Sequence, residues 1–193
     1  MSKIAIGGGY PAGTVDLDHS PRENIRRLAE AKGVAPAEIT ACILDRPRHA
    51  DLIAAVREAG ATIRLITDGD VAGVIHAAQP EETGIDIYLG TGGAPEGVLA
   101  AAALRCIGGQ MQGRIVAANS NMTRHAGGAA RHRERKYTLE EMASGDVMFA
   151  ATGVTGGSLL KGVIFGKGWI ETETVVMRSA TGTVRWIRNR RRV

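Results

Sequence analysis

The sequence predicts a layered α/β/α fold with a mixed, largely parallel sheet, and three observations carry that expectation. From Ile39 to Ile107 short apolar runs alternate with helical patterns, the order that builds parallel sheets under helices. Among 193 residues there are 26 glycines and only 4% aromatics, so a core must be aliphatic and alanine-packed. After Gly162 the rhythm changes to β-branched, alternating stretches, which predicts an antiparallel end to the chain. With 44% hydrophobic and 23% charged residues the composition is that of an ordinary globular chain. Its length suits a single α/β domain over 1–193.

Taken in order, Lys3–Ile6 reads as a strand that runs into Gly7-Gly-Gly9. A second apolar piece follows at Thr14–Leu17. Ser20-Pro21, with Glu23 three residues after the serine, is a capping-box start for a helix to about Lys32, stopped by Gly33. Ile39–Leu44 is an internal strand, 50–59 a helix ended by Gly60, Ile63–Ile66 a strand and 71–78 a helix. Pro80–Gly84 reads as a polar loop before the strand Ile85–Leu89 and the helix 95–107. Gly108–Gly113 is expected to be a turn and Arg114–Ala117 a strand. The connection 118–136 is strongly basic, with Arg124, His125, Arg131, His132, Arg133, Arg135 and Lys136. Thr138 opens a short helix, and 146–151 is a strand ending in Thr152-Gly-Val-Thr-Gly-Gly157. The antiparallel strands fall within 162–188, the last two joined by a hairpin turn at Ser179–Gly182.

Three of these strand ends carry polar sequence, and in a parallel sheet all three lie on the edge where ligands bind. Asp45-Arg-Pro-Arg-His49 offers two forked cations, Arg46 and Arg48, suited to a phosphate. Thr67-Asp-Gly-Asp70 offers Asp68 and Asp70 for the hydroxyls of a polyol; either could instead cap the next helix. Gly90-Thr-Gly-Gly-Ala-Pro-Glu-Gly97 brings bare backbone close to a ligand and places Glu96 at a helix N-terminus. There Glu96 could hold a hard divalent cation, the plain alternative being a tight turn with a capping carboxylate. Phosphate, hydroxyls and metal together point to a sugar phosphate. His49 is expected to cap or orient the arginine loop.

At this point the chain resembles a known family. Ile43–His49, Leu65–Gly73, Gly92–Leu104, Gly109–Arg114, Gly145–Thr155 and Val176–Ser179 resemble, in the same order, segments of class II fructose-1,6-bisphosphatase. The resemblance covers essentially the whole chain. It implies metal-dependent removal of the 1-phosphate of fructose 1,6-bisphosphate, with Mn²⁺ or Mg²⁺, in gluconeogenesis or carbon fixation. Some members of that family also act on sedoheptulose 1,7-bisphosphate. It implies a fold similar to the lithium-sensitive sugar phosphatases. Residue by residue, it gives substrate phosphate to Arg46, Pro47 and Arg48, the sugar to Asp68, Gly69 and Asp70, and a metal ion to Glu96. Gly156 stands where an acidic or polar residue is common in the family. Members of the family are far longer, and the resemblance is to the part after their first sheet layer. Their metal-binding acidic cluster and water-activating residues lie in that earlier part. The expectation is therefore a truncated form that keeps the substrate grip, with the catalytic residues outside this sequence.

Other function classes are weaker. The basic 124–136 cluster and the Arg190-Arg-Arg192 tail suit nucleic acid, but the formal net charge of +4 is modest, few aromatics leave few stacking platforms and no binding motif is present. No apolar run is long enough to span a membrane and no signal peptide is visible, which makes a cytoplasmic location the default. Cys42 and Cys106 sit in apolar segments and read as buried free thiols. A non-catalytic fragment that binds sugar phosphate is the main alternative. Its expected partners are a second copy of itself or a chain carrying the missing half, because a lost layer exposes apolar surface.

Overall fold

In the computed structural model the described residues are 1–116 and 135–193. They form two sheets rather than one. The first has six strands in the order β3-β2-β4-β1-β5-β6, comprising β1 (Ser2–Ile6), β2 (Thr40–Leu44), β3 (Thr62–Ile66), β4 (Ile87–Thr91), β5 (Gln110–Arg114) and β6 (Lys136–Thr138). β2 is parallel to both β3 and β4. β1 lies antiparallel between β4 and β5, and β6 is antiparallel to β5, so this sheet is mixed. The second sheet is wholly antiparallel. β9 (Trp169–Arg178) pairs with β10 (Thr183–Arg192) on one edge and with β7 (Met148–Thr152) and β8 (Ile164–Gly166) on the other.

Strand alternation sorts the core. Ile4, Ile6, Ala41, Ile43, Ile87 and Leu89 point to one face of the first sheet and pack with Ile25, Leu28, Ile53 and Val56. Those residues come from α1 (Pro21–Lys32) and α2 (Ala50–Glu58). Ala5, Cys42 and Tyr88 point to the other face, against α3 (Asp70–Ala77) and α5 (Ala94–Ile107). Phe149, Val175 and Met177 of the second sheet cover the far side of α5. The layers therefore run helix, sheet, helix, sheet. Helix α5 lies between two sheets and is apolar nearly all round; Ala100, Ala101 and Ala103 let both approach closely.

The helix caps follow local sequence. The Ser20 side chain accepts from the Glu23 N–H at 3.2 Å, and Gly33 closes α1 in the left-handed region with φ 75°. Thr138 and Glu141 exchange both bonds of a capping box around α6 (Leu139–Met142). Gly182 (φ 58°) turns the chain between β9 and β10.

Several expectations are corrected. Most of the segment read as a turn, 108–113, is strand: β5 begins at Gln110 and ends at Arg114, because pairing with β1 outweighs the weak strand preference of Gln and Gly. Residues 115 and 116 are not strand, and 117 lies outside the described residues. Pro80–Thr83 forms a one-turn helix, α4, inside the expected loop. The last strand extends to Arg192, since its arginines find partners on β9. Of the basic connection, 118–134 lies outside the described residues. Arg135 pairs with Glu141, and Lys136 with Asp16 and Asp18. Cys42 and Cys106 are buried and free, and burial pushes the Cys42 thiol up to about 12.

Candidate sugar-phosphate site

Because β2, β3 and β4 are parallel, the turns that follow them meet at one edge of the first sheet, as their sequence suggested. β1 runs the other way, so its N-terminal residues arrive at the same edge. The β1–β4 ladder continues one pair beyond the strands: the Met1 nitrogen donates to Gly92 O at 2.7 Å and the Gly92 N–H to Met1 O at 3.0 Å.

The β2 turn carries Arg46 and Arg48. Pro47 starts a single 3₁₀ turn, Pro47–His49, and both arginines stay at the surface. Arg48 Nε donates to Thr91 O at 2.8 Å, which ties the β2 turn to the end of β4. Arg46 donates to Asp45 O at 2.9 Å. Beneath them His49 is buried and bridges the same two strands. Its Nε2 accepts from the Thr91 N–H at 2.9 Å, so Nδ1 carries the proton and donates to Leu44 O at 2.8 Å. His49 therefore orients the arginine loop as a neutral imidazole.

The two aspartates of the β3 turn separate. Asp68 is exposed and its Oδ1 accepts from the Gly69 N–H at 2.8 Å. Gly69, with φ 87°, is the N-cap of α3, and neither aspartate caps the helix by its side chain. Asp70 instead turns inward and forms an ion pair with Lys3, the two side chains 6% and 0% exposed. Lys3 Nζ also reaches Gly93 O at 3.3 Å. Asp70 Oδ1 is buried without a hydrogen-bond partner among the described residues. One lysine from β1 thus fastens the turns after β3 and β4 together.

In the β4 turn Gly92 is required by crowding against the buried Lys3–Asp70 pair, whereas Gly93 is crowded only by the movable end of Glu96. A Cβ on Gly92 would collide with the Asp70 carboxylate, and one on Gly93 with the Glu96 carboxylate. Glu96, in the first turn of α5, is exposed, and its Oε2 accepts from the Gly93 N–H at 3.0 Å. It acts as the helix's own cap while remaining open to solvent. Among the described residues no three His, Cys, Asp or Glu side chains gather into a metal ligand set. Glu96 therefore belongs to no three-ligand set among the described residues, which does not fit the multi-metal clamp that in-line phosphoryl transfer uses.

The structure thus places Arg46, Pro47, Arg48, Asp68, Gly69 and Glu96 at one surface edge and sets Asp70 beneath it. Sequence reasoning missed Lys3 and Thr91. A lysine inside an otherwise apolar strand was the available signal for Lys3; Thr91 contributes only backbone atoms, which no side-chain pattern reveals. Alongside Asp68 the structure also brings the loop that follows β7, which borders an open cleft with the β3 turn.

This chain is similar over residues 1–191 to the family model described as bacterial fructose-1,6-bisphosphatase, glpX-encoded. It is 38% identical over 189 residues to the D-fructose 1,6-bisphosphatase class 2/sedoheptulose 1,7-bisphosphatase of Synechocystis sp., covering 91% of this chain and 54% of that protein. Proteins of the same name from two Synechococcus strains are 40% and 41% identical with the same coverage. The chain thus spans about half the length of the curated relatives it matches. It belongs to the glpX-encoded, class II family of fructose-1,6-bisphosphatases.

Proposed function

We propose that this chain is one α/β domain, layered like the lithium-sensitive sugar phosphatases, that supplies the substrate-binding half of a ketose-bisphosphate phosphatase. The observation that carries this is the convergence of three polar turns on one sheet edge, reinforced by Lys3 from β1. Arg46 and Arg48 take a phosphate, and the Arg48 guanidinium is already aimed by its bond to Thr91. Asp68 takes sugar hydroxyls, while Asp70, set by Lys3, shapes the turn beside it. Glu96 contributes one carboxylate toward a divalent cation, Mn²⁺ or Mg²⁺. That cation would neutralise phosphate charge, and the rest of its ligands would come from elsewhere. The residues that activate water are assigned to the portion of the relatives that this chain does not span, so the chain alone binds without turnover.

The test pairs binding with hydrolysis. By calorimetry, fructose 1,6-bisphosphate should bind the wild-type chain, and Arg48→Ala should weaken it at least about tenfold, the loss of a charge-assisted, forked contact. Phosphate release in Mn²⁺ or Mg²⁺ should be absent from the wild type and from Glu96→Ala alike. Release from the wild type that vanishes in Glu96→Ala would show a complete site and overturn the division of labour.

A second reading is favoured by one surface. Ladder register puts Met148, Phe165 and Ile187 on the face of the second sheet that points away from α5. Met148 and Phe165 are 70% and 76% exposed. Such a face suits a second copy or a chain carrying the other half of the family's sequence, and light scattering across a concentration series would reveal the former.

A further inference from the structure

We propose that the loop after β7, Thr152–Ser158, is the outer wall of a subsite that reads the hydroxyl-bearing carbon chain of the sugar and sets how long a chain fits. The inference rests on the substrate reading above and adds a part of the molecule that reading does not use.

The loop faces the β3 turn across a cleft of about 540 Å³. Asp68 and Gly69 form one wall; Thr152, Thr155, Gly156 and Ser158 are among those forming the other. Among the described residues the only charged side chain lining the cleft is Asp68. With a carboxylate and no cation, the cleft disfavours a phosphate. Hydroxyls and backbone amides beside a carboxylate instead match the donors and acceptors of a polyol. The carboxylate retains acceptor capacity, since the Gly69 N–H occupies one oxygen.

The wall is built in advance. The Gly153 N–H donates to Glu173 O, the Val163 N–H to Val154 O and the Gly157 N–H to Leu160 O, each at 3.0 Å. The Lys161 N–H donates to a Glu173 carboxylate oxygen at 2.7 Å, and the Thr152 and Thr174 hydroxyls meet at 2.8 Å. These bonds fasten the start of the loop to β9 and the rest of it to the Leu160–Val163 stretch, which Lys161 ties to β9 in turn. Position in the sheet then gives direction. Since β3 is the outermost strand and β2 its neighbour, the cleft lies outboard of Arg46 and Arg48. A phosphate anchored on the arginines sends its carbon chain over Asp68 toward Thr155 and Gly156, and the second phosphate passes beyond the cleft to the far side of Gly156 and Gly157, where Lys161 stands. Here the loop is open: a Cβ on Gly156 would find its nearest neighbour at 3.9 Å, and that glycine needs no left-handed backbone. The space suits one more hydroxymethylene unit, the difference between a six- and a seven-carbon ketose bisphosphate.

The same opening makes the test clean, because Gly156→Leu adds bulk at the wall without strain in the loop. Affinities of fructose 1,6-bisphosphate and sedoheptulose 1,7-bisphosphate would be measured by calorimetry for wild type, Gly156→Leu, Thr155→Ala and Arg48→Ala. Gly156→Leu should weaken the seven-carbon ligand about tenfold or more and the six-carbon ligand less than about threefold; Thr155→Ala should act in the same direction, by about the value of one hydrogen bond. Equal weakening of both ligands, or of neither, by Gly156→Leu overturns the proposal even where Arg48→Ala abolishes binding. If the wild type binds neither sugar, or Arg48→Ala leaves binding intact, the reading of the arginine edge itself fails, and the subsite with it.

Discussion

Two ion-pair systems of the same chemistry lie in opposite parts of this molecule. At the sheet edge Lys3 meets Asp70 with both side chains out of water. On the second sheet Arg188 and Arg190 flank Glu171 with their side chains 63% and 55% exposed, and Arg190 also stacks over Trp169 at 4.1 Å. The first pair leaves a buried charge alone if either partner is lost; in the second, Glu171 is itself only 5% exposed, but it keeps one arginine when the other is removed. A buried pair is weak evidence for added stability, but breaking it leaves an uncompensated charge. Two largely exposed arginines on one carboxylate are screened and can stand in for each other. The difference identifies the Lys3–Asp70 pair as a fixture of the site's geometry and the β10 arginines as a solvated surface.

The largest expected effect tests that contrast directly. Lys3→Met should cost about 3–5 kcal/mol in denaturant unfolding, as for other broken buried pairs. Arg190→Ala should cost about 1 kcal/mol or less, since Arg188 remains on Glu171. Adding Asp70→Asn to Lys3→Met removes the stranded charge and should recover most of the loss. Similar costs for the two single variants would erase the distinction.

A smaller effect sharpens the account of the edge. His49→Ala removes one hydrogen bond from each of two strands and should destabilise by about 2 kcal/mol, the scale for unsatisfied buried groups. It should also loosen the arginine loop, so that affinity for a sugar phosphate falls while Arg48 is still present. Unchanged stability and affinity would show that the bridge does no positioning.

The smallest effect lies on the exposed side. Hydrogen bonds from Lys136 and Arg114 hold the Asp18 carboxyl at about 2, below its ordinary 3.8. A carboxylate depressed in the folded state contributes stability above its unfolded value, and that contribution is lost as pH falls through the folded one. The Asp18 contribution should therefore be whole above about pH 4 and vanish toward about pH 2. Carboxyl carbon shifts in an NMR titration should show a midpoint near 2 at low salt; a midpoint near 3.8 would mean that the pairing is absent in solution.

Much of the fold was legible because its signals are local. The alternation from Ile39 to Ile107, the Ser20 and Thr138 caps and the glycine stops at 33 and 182 need only neighbouring residues to act. The three polar strand ends were legible for the same reason, and parallel pairing then placed them on one edge. Strand β5 was not, because Gln110–Arg114 is a strand only by virtue of the partner it finds in β1.

Residue chemistry and short-range pattern were therefore sufficient for the α/β class and for naming the arginine, aspartate and glutamate candidates, while the family came from the resemblance of whole motifs. Long-range packing decided where those residues lie. It sent Asp68 to the surface and Asp70 into the interior, though they are two positions apart, because α3 begins between them and turns one side chain toward Lys3. It also split the strands into two sheets around α5 and set the loop after β7 opposite Asp68. The physical reason is common to all three: burial and facing depend on which distant backbone lies opposite, and the energy of a charge or an open glycine depends on that neighbour rather than on its own sequence.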